Sequence, residues 1–108
     1  MQRPENELDI QQLRASAEAA GQLLKALANP DRLLLLCQLS QGELNVTDLE
    51  ALSGIQQPTL SQQLAVLRSK RMVETRRAGK QVYYRISSSA ALAVIHVLYQ
   101  HFCAGDAK

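Results

Sequence analysis

Apolar residues recur every three or four positions in the first quarter of the chain. They occupy positions 10, 13, 17, 20, 24 and 27, which form one face of a helix. Asn29 and Pro30 separate this segment from the next, because Asn can cap a helix and Pro suits its first turn. We predict a first helix over 10–27 and a second over about 30–39. The leucine-rich run 33–36 should be enclosed by neighbours on almost every side.

Two short helices are predicted in the middle of the chain. Asn45 is followed three residues later by Asp48, a capping arrangement that predicts a helix over about 46–53 with Leu49 and Leu52 facing inward. After a turn at 53–56, a fourth helix is predicted from Gln57-Pro58 to Lys70. Two short helices joined by a turn that contains glycine indicate a helix-turn-helix. The buried stripe of the fourth helix is predicted to be Leu60, Leu64 and Leu67.

The hydrophobic period changes after Arg71. Segments 72–76 and 81–86 are rich in β-branched and aromatic residues and flank Ala78-Gly79, which predicts a β-hairpin. Ser87 to Ser89 offer caps for a last helix over about 89–103. This helix has two apolar faces, so we expect one to meet the core and the other a second copy of the chain. The faces are Leu92, Ile95, Tyr99 and Phe102 on one side, and Ala91, Val94 and Leu98 on the other.

Length and composition fit one domain over residues 1–108, with polar tails over about 1–8 and 104–108. The chain is 46% apolar, lacks tryptophan and has few aromatic residues, which favours a mainly helical protein. No apolar run approaches the roughly 18–20 residues that span a bilayer. The start of the chain also lacks the apolar segment of a signal peptide. We therefore expect a cytoplasmic protein with no membrane partner.

The net charge of +2 is unevenly distributed. Residues 1–50 carry four basic and eight acidic side chains, whereas residues 68–85 carry seven basic side chains and one acidic side chain. A positive block of this kind suits the phosphate backbone of nucleic acid. A solvated charged face is the alternative interpretation.

Polar side chains at the start of the predicted fourth helix are candidates for reading bases. Gln62 is favoured, because a glutamine amide can form two hydrogen bonds with adenine. Cations at the end of that helix and in the hairpin suit phosphate contacts, although Arg68 could equally pair with an acidic residue of the first half. An ordinary polar helix surface is the alternative, but the helix-turn-helix spacing and the adjacent basic hairpin favour DNA. The predicted DNA-binding residues are Gln57, Thr59, Ser61, Gln62, Gln63, Arg68, Arg76, Arg77 and Lys80.

No pattern indicates an enzyme. The sequence shows no paired carboxylates on one face, no nucleophile with an adjacent base and no glycine loop that would cradle phosphate. We predict no catalytic residues and no cofactor.

Three segments together resemble the ArsR family of bacterial winged-helix repressors. They are residues 27–33, 57–68 and 72–85, and the resemblance extends over about residues 13–103. It implies a winged helix-turn-helix with five helices and a hairpin between the fourth and the fifth. It also implies a homodimer joined through the first and last helices, which binds an inverted repeat in double-stranded DNA until an inducer is sensed.

Ligand patterns of the metal-sensing members are missing here. The arsenic- and cadmium-sensing pattern has a Cys-Val-Cys segment on the third helix, where this chain has Asn45 and Thr47 in place of the thiols. The zinc-sensing pattern has Asp and His ligands on the last helix. Here that helix offers His96 and His101, which are five residues apart and on different faces. We expect no metal site.

Cys37 and Cys103 resemble the dithiol of the sulfide- and persulfide-responsive branch of the family, the BigR, SqrR and YgaV type. The resemblance implies a repressor that releases its operator when persulfide or polysulfide links these thiols. Two thiols on packed helices can be joined by oxidation or by inserted sulfur. We expect Cys103, near the chain end and the mobile tail that we predict there, to attack first and Cys37 to resolve. Cysteine as a small buried hydrophobe is the alternative. A metal ion or a general oxidant that forms a simple disulfide is the alternative inducer.

Overall fold

The computed structural model describes residues 7–103 and contains five helices and three strands in this part of the chain. It confirms the predicted winged helix-turn-helix. The predicted C-terminal tail and residues 1–6 of the N-terminal tail lie outside the described residues, whereas Glu7 and Leu8 are helical rather than part of a tail. The elements are α1 (Glu7–Leu27), α2 (Pro30–Leu39), β1 (Leu44–Asn45), α3 (Val46–Ser53), α4 (Thr59–Ser69), β2 (Val73–Ala78), β3 (Gln81–Ile86) and α5 (Ser89–Phe102).

Three helices begin at side-chain caps that the sequence predicts. In each case a side-chain oxygen accepts a hydrogen bond from a backbone N–H three residues later, which satisfies one donor of the first turn. These local bonds explain why the predicted starts of α2, α3 and α5 agree with the structure. The pairs are Asn29 with Arg32 at 3.1 Å, Asn45 with Asp48 at 2.7 Å, and Ser88 with Ala91 at 3.0 Å.

The core lies between α2, α4, α5 and the sheet. The predicted stripe of α4, formed by Leu60, Leu64 and Leu67, is fully buried, as are Leu35 and Leu36 of α2. Burying a leucine side chain contributes about 1.5–3 kcal/mol. This cluster therefore holds α4 firmly against α2 and leaves its other face to solvent.

Two leucines that were predicted to be enclosed are exposed. Leu52 is 62% exposed instead of facing inward, because three residues of helix rotate it by about 60° from the buried Leu49. Leu34 is 40% exposed, so α2 is enclosed on most sides but not all. In α2 and in α3, one face of the helix packs on the core and the adjacent face is exposed to solvent.

The faces of α5 differ from the prediction. Ile95 was grouped with Tyr99 and Phe102, yet it is fully buried together with Ala91 while the two aromatic residues are exposed. Ala91 and Ile95 are four residues apart and therefore share one side of the helix. Over residues 9–27 of α1, only the last turn is buried, and the predicted apolar stripe is mostly exposed in the single chain.

The three-stranded sheet has the order β1-β3-β2 and is antiparallel. β2 and β3 pair from Val73 opposite Ile86 to Ala78 opposite Gln81, around a two-residue turn in which Gly79 has φ 63°. The sequence did not predict β1, which consists of two residues and pairs with Tyr83 and Tyr84. None of the helices within residues 7–103 is long and apolar enough to cross a membrane.

Candidate nucleic-acid interface and dithiol site

The turn between α3 and α4 fixes the orientation of the α4 N-terminus. Gly54 ends α3 with φ 75°, a conformation that glycine adopts without steric cost, and donates its N–H to Glu50. Ile55 is buried, and its N–H donates to the Ser53 hydroxyl at 3.0 Å. The first turn of α4 therefore projects from the body on a fixed support.

Two of the predicted DNA-binding residues stabilise this first turn. The Gln57 side-chain oxygen accepts hydrogen bonds from the Ser61 N–H at 3.1 Å and from the Ser61 hydroxyl at 2.7 Å. It supplies a cap that Pro58, at the N-cap position, does not provide. Thr59 and Gln62 are exposed beside this pair.

Gln63 turns toward the body of the protein. Its side-chain oxygen accepts a hydrogen bond from Arg32 Nη1 at 3.0 Å. Arg32 Nε donates in addition to the Ala26 carbonyl at 2.7 Å. Arg32 thus connects the end of α1 to the helix that carries the predicted base contact.

The hairpin cations fall into two groups. Arg77 and Lys80 are exposed and have no ion-pair partner within residues 7–103. Arg76 Nε donates to both carboxylate oxygens of Glu43 at 2.9 and 2.8 Å, and its guanidinium lies 4.7 Å from the ring centroid of Tyr83. The hydrogen bond from Arg76 holds the pKa of Glu43 below its usual range, aided by the nearby positive charges.

Cations also cluster at the end of α4. Arg68, Lys70 and Arg71 are all exposed, and Arg68 forms no ion pair with an acidic residue in the described part of the chain. Arg71 has φ 61°, the left-handed conformation that glycine usually occupies after a helix. The positive block in the sequence therefore lies on α4 and on the hairpin next to it.

Both cysteines line one cavity of about 340 Å³. Cys37 lies on α2 and is half-buried, whereas Cys103 follows α5 and is exposed, and both are free thiols. Burial raises the pKa of the Cys37 thiol, and the charge of the neighbouring Cys103 raises it further. The rest of the lining is apolar or aromatic and consists of Leu33, Leu98, Tyr99 and Phe102. The structure thus brings together the two residues that the sequence singled out.

Groups of three or more His, Cys, Asp and Glu side chains that could hold a metal ion are not found among residues 7–103. His96 and His101 are both exposed on α5.

Comparison with known proteins assigns the family. Residues 29–75 match the family described as bacterial regulatory protein, arsR family. The chain is 48% identical over 100 residues to the biofilm growth-associated repressor of Agrobacterium fabrum. The aligned region covers 93% of this chain and 86% of that protein. This chain belongs to the ArsR family. The family resemblance predicted from the three sequence segments is confirmed.

Solved structures agree with this assignment. The transcriptional repressor BigR from Xylella fastidiosa has a TM-score of 0.80 and 46% identity, with 89% of this chain and 95% of that chain covered. Reduced HlyU from Vibrio cholerae has a TM-score of 0.82 and 39% identity, with 86% and 98% covered. Relatives of this chain are described as transcriptional regulators, among them repressors and the activator HlyU of Vibrio cholerae.

The sequence does not single out three residues that lie beside the candidate DNA-binding side chains. Arg32, Glu43 and Tyr83 contact predicted DNA-binding residues, yet each is separated from its partner along the chain or lies on another strand. Arg32 belongs to a segment that carries the family resemblance, so it was visible there. Glu43 had no distinguishing signal beyond its position in a turn.

Proposed function

We propose that this ArsR-family protein is a cytoplasmic homodimeric repressor that releases an inverted-repeat operator when sulfur links Cys37 and Cys103. The observation that carries the proposal is that both thiols line one cavity between α2 and the end of α5. Similarity to repressors such as BigR supports the direction of regulation.

DNA contacts are assigned to the exposed face of α4 and to its basic neighbours. Gln62 and Thr59 are exposed at the first turn, which suits contacts to base edges in a major groove. Gln57 and Ser61 hold that turn and offer further polar contacts. Arg68, Arg77 and Lys80 are exposed cations suited to phosphate. Gln63 and Arg76 already have intramolecular partners, so we assign them to the margins of the interface.

Exposed apolar side chains on two helices support dimer formation. Ile10, Leu13 and Leu24 are about half exposed on α1, and Tyr99 and Phe102 are exposed on α5. A soluble protein rarely leaves such faces uncovered. Because Cys103 directly follows α5, a dimer interface on this helix would lie beside the dithiol.

The chemistry begins at the exposed thiol. The Cys103 thiolate attacks the outer sulfur of a small persulfide, the sulfur–sulfur bond of the donor breaks, and its thiolate leaves. Cys103 then carries the persulfide. Cys37 is the slower thiol, because its raised pKa keeps it protonated at neutral pH.

Cys37 completes the link in a second step. After losing its proton to solvent, its thiolate attacks the Cys103 sulfur of the persulfide, a disulfide forms, and hydrosulfide leaves with the two electrons that the cysteines lose. If a second persulfide first loads Cys37, the terminal sulfur of the Cys103 persulfide attacks the Cys37 sulfur. Hydrosulfide again leaves, and the link then contains one additional sulfur.

A covalent link between α2 and the end of α5 would change the shape of the dimer. The two recognition helices of a symmetric dimer must be about 34–36 Å apart, one turn of DNA, to reach both half-sites. Movement of α5 relative to α2 alters this spacing. The affinity for the inverted repeat then falls while each α4 stays intact.

Mass spectrometry and DNA binding test the proposal together. The reduced protein is exposed separately to polysulfide, glutathione disulfide and peroxide, and its affinity is measured for a duplex selected from a randomised inverted-repeat library. Polysulfide in excess loads both thiols, so we expect it to remove both free thiols, to add sulfur between them and to weaken DNA binding. A simple disulfide formed equally well with peroxide would favour a general oxidant as inducer.

The two cysteine variants serve as matched controls, because the chain has two cysteines in all. Cys37→Ser should accept sulfur on Cys103 yet keep its DNA affinity, since no link can form. Cys103→Ser should stay unmodified under the same brief exposure. DNA release by a Cys103→Ser protein that gains no mass would refute the dithiol as the sensor.

A further inference from the structure

A compact group of contacts holds the hairpin against the turn that follows α2. Arg76 of β2 bonds to the Glu43 carboxylate with Nε, and the guanidinium lies over the Tyr83 ring of β3. Arg76 and Tyr83 are directly opposite in the β2–β3 register, and Tyr83 is opposite Asn45 in β1. The group therefore connects β2 and β3 to the turn that precedes β1.

The base of the hairpin packs on the core through Val73, Tyr84 and Ile86, but the Glu43–Arg76 contact lies beside an open space. An open cavity of about 490 Å³ lies between the end of α2, the base of the hairpin and α5, and both Glu43 and Arg76 line it. β1 has two residues, so few ladder hydrogen bonds hold the turn to the hairpin. The ion pair and the ring contact therefore help to fix the angle of the hairpin beyond the part that packs on the core.

Arg76 differs from its neighbour Arg77 in how its charge is compensated, as well as in its contacts. Its charge is compensated by Glu43, whose side chain is only 25% exposed. A phosphate contact by Arg76 would have to compete with this carboxylate and would deprive Glu43 of its hydrogen-bond donor beside a polyanion, with the charge of Arg85 still nearby. Arg77, one residue further along β2, has no such partner within residues 7–103.

We propose that Glu43, Arg76 and Tyr83 form a clamp that positions the hairpin for DNA, and that Arg76 acts as a positioning residue instead of a phosphate contact. This inference rests on the proposed DNA-binding function of the hairpin. It predicts that removing the acidic residue Glu43 weakens DNA binding, which is opposite to the simple electrostatic expectation for a protein that binds a polyanion.

Salt-dependent DNA binding separates the two roles of an arginine. The slope of log affinity against log salt is negative, and each lost phosphate contact reduces its magnitude by about 0.9. We expect Arg77→Gln to show this reduction. Arg76→Gln and Glu43→Gln should each weaken binding by about two- to fivefold with the slope unchanged, the range given by an exposed ion pair. The double variant should be no weaker than either single variant, because both remove one clamp.

A measurement without DNA reports the clamp itself. Limited tryptic cleavage within the hairpin should be faster in Glu43→Gln than in the parent protein, although every lysine and arginine is retained. Far-UV circular dichroism and thermal unfolding confirm that the variant is folded.

The opposite pattern would overturn the clamp. Arg76→Gln would then lower the salt slope as Arg77→Gln does, while Glu43→Gln would leave DNA binding unchanged or strengthen it. A third outcome is also possible, in which Glu43→Gln is cleaved faster but both Glu43→Gln and Arg77→Gln keep the DNA affinity of the parent protein. This result would show that the hairpin does not contact DNA. It would overturn the positioning role together with that part of the proposed function.

Discussion

Arg71 holds a backbone conformation that ordinarily favours glycine. Its φ is 61°, and the turn is closed by hydrogen bonds from the Arg71 N–H to Arg68 at 3.0 Å and from the Met72 N–H to Leu67 at 2.9 Å. Left-handed backbone costs a residue with a side chain roughly 1–2 kcal/mol. A cation at this position extends the positive surface at the end of α4.

Replacing Arg71 with glycine should make the protein more stable and a weaker DNA binder. Relief of roughly 1–2 kcal/mol of strain exceeds the roughly 0.5–1 kcal/mol entropic cost of glycine, so the free energy of unfolding should rise by about 0.5–1 kcal/mol. Urea unfolding at fixed protein concentration measures this change. DNA affinity should fall, with a salt slope smaller by about 0.9.

Arg71→Ala is the matched control for this prediction. Alanine removes the same charge but keeps a Cβ at positive φ, so it should lose DNA affinity without the gain in stability. Equal stability of the alanine and glycine variants would show that the backbone at this turn is not strained.

At the scale of helices and strands, the sequence predicts those features that depend on residues close together along the chain. The caps Asn29, Asn45 and Ser88 and the leucine stripe of α4 all follow from residues within one or two helical turns. β1 and the exposure of Leu52 depend instead on which distant element packs beside them. A strand of two residues is too short to show a periodic pattern. A leucine is buried only if another element of the fold covers it, and the residues beside it in the sequence do not show this.

The candidate site shows the same division. Cys37 and Cys103 were predicted as a pair from the family resemblance, and the structure places both on one cavity. The first turn of α4 was predicted from the helix-turn-helix pattern. The partners of Gln63 and Arg76 were not predicted, because Arg32 is 31 residues and Glu43 is 33 residues away along the chain. Contacts at such separations arise from the fold and leave no local pattern.

The connection between α1 and α4 gives a prediction at this scale. Arg32→Met should lower the free energy of unfolding by about 1–3 kcal/mol, because the Ala26 carbonyl loses its donor and Gln63 loses its partner. Arg32→Lys should recover only part of this loss, since an ammonium cannot reproduce the planar fork of the guanidinium. Urea unfolding followed by circular dichroism measures the difference.

Gln63→Met separates the two arms of the Arg32 contact. It removes one hydrogen bond and leaves the bond to Ala26, so the expected cost is smaller, about 1 kcal/mol. If Arg32→Met were as stable as the parent protein, the Arg32 contact would not hold α1 to α4.

At the scale of the whole molecule, α1 is the element with the least support from its own chain. From Ile10 to Gln22 every residue is exposed, and burial begins only near the last turn at Ala26 and Leu27. In proteins most of the stability of a helix comes from packing of its apolar face, and this stretch of α1 presents its apolar residues to solvent. The proposed dimer would cover the exposed apolar residues of α1 and α5, and it would also place two α4 helices on one DNA duplex.

Leu13→Glu should convert the protein to a monomer, because a charge would replace a leucine that is 53% exposed on α1. Leu52→Glu is the matched control, since Leu52 is 62% exposed but lies on α3, away from the proposed interface. Sedimentation equilibrium should show a monomer for the first variant and a dimer for the second. The affinity of the monomer for an inverted repeat should fall by roughly 10²-fold or more, because the second half-site is no longer bound by a tethered partner. A dimeric Leu13→Glu protein beside a monomeric Leu52→Glu protein would move the interface to α3, and DNA release could then no longer be explained by movement of α5.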